Sequence, residues 1–208
     1  MADVKQYSFA GKCYLFFCWC RTRLFFPGVK IIRFPFDIRN RKFVSIGNGV
    51  SFGRMCRIEV ASEGATGNEK RIVIGDNFRI NDFVHIAAYQ SVIIGNEGGI
   101  GARSFITDIN HGDFSEGKEF DINMPHRLRP LSAKPVRIGN NVWIGENCCI
   151  CPGVTIGDNS IIGAFSNVVK SIPPCSMAVG NPARVIKRFD FNSKSWRRVD
   201  SLGNFIDL

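Results

Sequence analysis

A chain of 208 residues with 45% hydrophobic content can bury a full core and has the size of one domain, 1–208. Its net charge of +9 favours an anionic ligand or surface, but no RNA-recognition or helix-turn-helix signature accompanies it, so nucleic acid is not an expected partner. The eight cysteines include Cys18-x-Cys20 and Cys148-Cys149-Ile150-Cys151 but show no Cys/His zinc spacing, which argues against metal and disulfides and for free thiols in a reducing cytosol.

Residues 1–43 carry nine Lys/Arg against two Asp. Phe9, Cys13, Phe16, Phe17, Cys20 and Leu24 recur at helical spacing, and Pro27-Gly28 ends the predicted helix. The apolar run Cys13–Cys20 is too short to span a bilayer, and no cleavage site for a signal peptide follows it. Two readings stay open for this segment. It caps the first turn of the repeat described below, or it lies on a membrane with Lys5, Lys12, Arg21 and Arg23 near anionic lipid.

A six-residue rhythm begins at Ser45, with Ile46, Phe52 and Ile58 in phase. The polar stretch Glu63–Arg71 interrupts it as a loop. It resumes at Ile74, Ile80 and Ile86, slips by two near Ser91, and continues at Ile94, Ile100 and Ile106. His111 to Lys134 has no period and includes Met124-Pro125 and Arg129-Pro130, which predicts a protruding loop at about 112–135.

From Val136 to Pro173 the rhythm returns without a slip, at Ile138, Ile144, Ile150, Ile156, Ile162 and Val168. A helix period of 3.6 fits six badly. A short strand followed by a turn fits it well, because residues two apart on a strand face the same way. The expected fold is all-β: a solenoid of parallel strands over 45–173, preceded by the cap segment 1–43 and followed by a basic tail, 174–208.

The run Ile138-Gly-Asn-Asn-Val-Trp143-Ile-Gly, then Pro152-Gly-Val-Thr-Ile-Gly-Asp-Asn-Ser160, Ile162-Gly-Ala-Phe-Ser-Asn-Val-Val-Lys170 and Val179-Gly-Asn-Pro-Ala-Arg184-Val-Ile-Lys187 resembles the hexapeptide-repeat acyltransferases. The nearest branch is that of the sugar O-acetyltransferases. The resemblance implies a left-handed parallel β-helix, a homotrimer with sites between subunits, acetyl-CoA as acyl donor and a carbohydrate acceptor. It further implies a cytoplasmic setting, peripheral to the inner membrane face if the N-terminal segment binds lipid, and a place in lipopolysaccharide, O-antigen or capsule assembly.

The family's histidine base matches His111, in Thr107-Asp-Ile-Asn-His111-Gly. With Ile106 inward, His111 falls at an outward position, and imidazole is the side chain suited to take a hydroxyl proton near neutrality. Asp108 stands three residues upstream, and alternation alone leaves open whether it reaches the ring. Asn81 matches a family asparagine near the acceptor, although Tyr89 replaces a carboxylate expected eight residues on. His126, in the loop, is a second acceptor candidate. For the cofactor the resemblance points to Trp143 beside the acetyl-CoA channel, to Ala164 and Ser166 along the pantetheine arm with Phe165 in place of a glycine, and to Lys170, Arg184 and Lys187 at the phosphates.

The three histidines lack the spacing of a γ-carbonic-anhydrase zinc site, so no metal is expected. Cys149 and Cys151 have no partner base in sequence for an acyl-enzyme, which favours direct transfer in a ternary complex. Three other readings remain: N-acetylation of a nucleotide-linked amino sugar, acetylation of an antibiotic, and a non-catalytic β-helix scaffold.

Overall fold

The computed structural model describes residues 7–61 and 69–206; Lys5 and positions 63–68 of the expected polar loop lie outside them. The six-residue rhythm becomes three sheets of short parallel strands that the chain visits in rotation. The first sheet stacks Ile31–Ile32, Ser51–Phe52, Arg79–Ile80, Gly99–Ile100, Trp143–Ile144, Ile161–Ile162 and Ser176–Gly180. The second stacks Phe36–Arg39, Cys56–Val60, His85–Ala88, Phe105–Thr107, Cys149–Ile150 and Asn167–Val168. Val44–Ile46, Ile72–Ile74, Val92–Ile94, Val136–Ile138 and Thr155–Ile156 form the third.

Register places like on like. Phe52, Ile80, Ile100, Ile144, Ile162 and Ala178 form one inward column. Ile58, Ile86, Ile106, Ile150 and Val168 form a second. Ile74, Ile94, Ile138, Ile156 and Ile172 form a third. All are buried, so the core is a continuous aliphatic stack in which each turn covers the next.

The coil starts earlier than the rhythm suggested. Ile31–Ile32 and Phe36–Arg39 already pair with the following turn, so only the helix before them is a cap, not the whole of 1–43. Ile32 and Ile38 are themselves six apart, but the step to Ile46 is eight, and a 3-10 turn at Arg41–Phe43 takes up the difference. The coil also outlasts Pro173, because Ser176–Gly180 extends the first sheet. The tail then folds back as an antiparallel pair, Ala183–Asp190 and Ser195–Arg198, on the same sheet.

Every departure from six falls at one corner. From third sheet to first to second the steps stay at six, as in Ile94, Ile100 and Ile106. From second to third they run Ile38 to Ile46, Ile58 to Ile74, Ile86 to Ile94 and Ile106 to Ile138. The long loop is therefore the largest of several insertions stacked along a single edge.

The helix α1 spans Phe9–Phe25, with Ser8 accepting from the Gly11 amide at its start. Thr22 joins it to the first strand: its hydroxyl donates to the Cys18 carbonyl (2.7 Å) and accepts from the Ile32 amide (2.8 Å). The Tyr14 hydroxyl donates to the Phe34 carbonyl at 2.6 Å. These bonds hold α1 against the first strand of the coil. No helix among the described residues is long and apolar enough to cross a membrane.

Candidate active site

The loop after Ile106 is anchored before it wanders. Ile109–His111 pairs antiparallel with Leu131–Ala133, and the Ser132 hydroxyl donates to the Gly112 carbonyl at 2.6 Å. Gly112 has φ 121, and a Cβ there would come within 2.9 Å of the Phe114 ring and 3.1 Å of Phe120, so glycine fits where these rings close over the loop base. Phe114 and Phe120 stand 5.0 Å apart, with the Arg129 guanidinium 5.3 Å from the Phe120 ring. Asp113 pairs with Lys118 at 2.8 Å, and the hydrogen bonds from Lys118 and then Ser115 hold its carboxyl below the usual carboxylate range.

This folding brings two sequence-predicted residues together. Pro125 leads into a 3-10 turn, His126–Leu128, which sets the His126 ring 4.7 Å from that of His111. Both rings are exposed on the same edge of the coil.

Asp108 does not serve His111. It is buried, and its carboxylate accepts from the amides of Tyr89 (2.8 Å), Gln90 (2.8 Å) and Ser91 (2.6 Å) in the preceding turn. The two-residue slip near Ser91 is thus a widened corner wrapped around this carboxylate. Tyr89 stands where a carboxylate was expected, and its amide belongs to the same cap.

Asn81 lies elsewhere. It follows Arg79–Ile80 at the corner between first and second sheets, whereas His111 lies between second and third. Among the described residues no hydrogen bond or ring contact joins the two. His85 is separate again, 2.9 Å from Glu59 and stacked on Phe105.

The cofactor candidates divide. Trp143 projects outward from the first sheet, and its indole lies over Gly99, where a Cβ would meet ring carbons at 3.0 and 3.1 Å. Beside it opens a cleft of about 320 Å³ that also takes in Arg79 and Glu97. Ala164 is exposed at the corner between first and second sheets. Phe165, next to it, keeps the left-handed backbone (φ 59) that a glycine would have supplied and turns its ring to solvent. Ser166 is buried, its hydroxyl donating to the Gly163 carbonyl (2.6 Å) and accepting from the Gly180 amide (3.1 Å). That side chain is occupied by the fold, not presented to a ligand.

Lys170 and Arg184 do meet, lining a cleft of about 580 Å³ between the end of the coil and the C-terminal hairpin. Arg188 joins them and Lys187 does not. The strand Ala183–Asp190 bulges, since Val185 pairs with Ala178 but Lys187 with Met177, and this break in alternation accompanies the gathering of Arg184 and Arg188 in one cleft. Arg188 escaped the sequence reading because the tail was not recognised as a strand. The turn Asp200–Gly203 closes the cleft. Hydrogen bonds from Asn204, backbone first, keep the Asp200 carboxyl below its usual range.

Corners follow one another up the edge. The one holding His111 is succeeded by Cys151–Val154 and then by Lys170–Ser171. Lys134 ties the first two, donating to the Asp108 carbonyl and accepting from the Gly153 amide at 2.8 Å. His111 and the basic cleft therefore share an edge, two rungs or roughly 10 Å apart.

Residues 135–170 match the family model described as bacterial transferase hexapeptide (six repeats). A protein of Escherichia coli (strain K12) that carries the name of a lipopolysaccharide biosynthesis O-acetyl transferase, WbbJ, is 36% identical over 196 residues, covering 94% of this chain and 97% of its own. Among solved structures, a galactoside acetyltransferase in complex with coenzyme A superposes with a TM-score of 0.50 at 29% identity, over 79% of this chain and 67% of that one. A point mutant of AntD, an N-acyltransferase from Bacillus cereus, in complex with dTDP and coenzyme A gives 0.58 at 26% identity, over 78% of this chain and 82% of that one. Near full-length similarity to a protein named as an O-acetyl transferase, together with the hexapeptide model matched at 135–170, establishes that the chain belongs to the hexapeptide-repeat acyltransferases, in their sugar O-acetyltransferase branch.

Proposed function

We propose that this protein transfers acetyl from acetyl-CoA to a sugar hydroxyl in lipopolysaccharide, O-antigen or capsule assembly. The observation that carries the reading is the shared edge: an exposed imidazole pair at one end, and Lys170, Arg184 and Arg188 gathered two rungs away. An acyl-CoA laid along that edge puts its phosphates on the cations and its thioester toward His111.

His111 takes the acceptor proton as the sugar oxygen attacks the thioester carbonyl. The new C–O bond forms, the C–S bond breaks, and the imidazolium returns its proton to the departing CoA sulfur. Such a base contributes on the order of 10²–10⁴ in rate. No acyl-enzyme is needed: burial, then Cys151, pushes the Cys149 thiol up to about 11, and among the described residues neither thiol bonds an imidazole.

Asn81, Trp143 and Ala164 lie off this edge, which supports a homotrimer whose sites form between copies. His126 and a neighbour's Asn81 would then flank the acceptor. The same reading takes the coil as left-handed, the chain as one domain and the setting as cytoplasmic. A second reading, N-acyl transfer to a nucleotide-linked amino sugar, draws on the likeness to AntD.

Two measurements test this. Mass spectrometry of surface polysaccharide with and without the protein should show loss of an O-acetyl group. Calorimetry should show acetyl-CoA binding, and its absence would leave only a scaffold.

A further inference from the structure

The helix α1 is inside out. A helix lying on a globular body normally turns its apolar stripe inward. Here the buried residues are Cys18 and Thr22, with Gly11 and Tyr14 half-buried on the same face. The outer surface carries Phe9 (83% exposed), Phe16 (66%), Phe17 (55%), Trp19 (45%), Leu24 (74%) and Phe25 (51%). So large an aromatic surface in water calls for a partner.

Charge selects among partners. No acidic residue occurs from Phe9 through Phe36, while Lys12, Arg21 and Arg23 are exposed on the helix. The Arg21 guanidinium lies 4.2 Å from the Phe34 ring and that of Arg23 5.7 Å from Trp19, so the cations rim the aromatic surface. A second copy of the same helix would set these cations against each other. A sheet of lipid phosphates would not. The helix is too short to span, so it would lie in the plane of the headgroups. A shallow trough walled by Phe17, Cys20, Leu24 and Phe25 opens on this surface.

We propose that the outer face of α1 seats the enzyme on an anionic lipid bilayer. This does not depend on the acetyl-transfer reading. It means that the first turn of the coil stands next to the membrane.

The test is flotation of the full chain with vesicles of equimolar phosphatidylglycerol and phosphatidylcholine, beside vesicles of phosphatidylcholine alone. The anionic vesicles should carry the protein, and added salt should weaken this. Arg21→Gln with Arg23→Gln should lower affinity roughly tenfold or more, since each basic residue near such a surface contributes about 1 kcal/mol, or about fivefold. Phe16→Ser with Phe17→Ser should lower it as well, with the thermal midpoint unchanged because both rings are exposed. Brominated lipid should quench the wild type more than Trp19→Phe. Acetyl transfer to a small soluble sugar should not change in these variants, so failure here and failure of the catalytic reading are separable. The proposal is overturned by absence of flotation, by equal binding to neutral vesicles, or by a lipid-free dimer that buries Trp19 instead.

Discussion

His111 and His126 are ring neighbours, 4.7 Å between centroids with planes tilted by 38°, although a loop of mixed charge separates them in the chain. The pairing divides their roles into something measurable. His111 is held by strand pairing to Leu131, while His126 rides on a short exposed turn. His111→Ala should lower kcat by roughly 10²–10⁴ and leave acetyl-CoA affinity within a few-fold. His126→Ala should cost only a few-fold, and the double variant no more than His111→Ala alone. Steady-state kinetics on the three proteins decides it. Near-normal turnover in His111→Ala would pass the role of base to His126.

The basic cleft makes a separate prediction. Arg184→Ala and Arg188→Ala should each raise the KM for acetyl-CoA roughly tenfold or more, with a smaller effect on kcat, because a phosphate contact serves ground and transition states alike. Lys187→Ala, outside the lining of the cleft, should leave the KM near wild type. The assignment fails if Lys187→Ala matches the other two.

Asp108 should matter to stability rather than to chemistry. Asp108→Ala strips the acceptor from three amides at a buried corner, at about 1 kcal/mol or more for each. A fall in the thermal midpoint of several degrees is expected, against none for exposed His111→Ala. Calorimetric melts of both variants compare the two directly.

Thiol chemistry offers a fourth check. With the Cys149 thiol pushed up to about 11, chiefly by burial, little thiolate exists at pH 8. Iodoacetamide should label exposed Cys13 and Cys20 well before Cys149, whose rate should climb about tenfold per pH unit between 8 and 10. Peptide mass spectrometry reads each site, and fast labelling of Cys149 at pH 8 would reopen the case for an acyl-enzyme.

Much of this was legible because burial repeats. The inward stacking of Ile138 on Ile156, Ile144 on Ile162 and Ile150 on Val168 follows from spacing alone, since each inward position must be apolar. The first turn was hidden because Ile38 and Ile46 are eight apart, and only pairing partners disclose that a corner lengthened without breaking the coil. The contact between His111 and His126 has no periodic signature, being set by ring packing and turns within the loop. The burial of the Ser166 hydroxyl was not legible either: matching a motif says where the chain passes, not which way a side chain turns. Arg188 could not be found by alternation from Arg184, because the strand bulges between Val185 and Lys187.

The edge that gathers the insertions has a use beyond catalysis. Lengthening a loop there costs only slowly growing closure entropy, because both of its ends are already pinned by paired strands. A single residue added between Ile138 and Ile150, where no corner of that seam falls, would instead turn the next aliphatic outward. The molecule thus offers a rigid spine with one seam open to enlargement. A foreign peptide grafted at Ser115–Gly117, in the exposed part of that seam, should be displayed without disturbing the coil behind it.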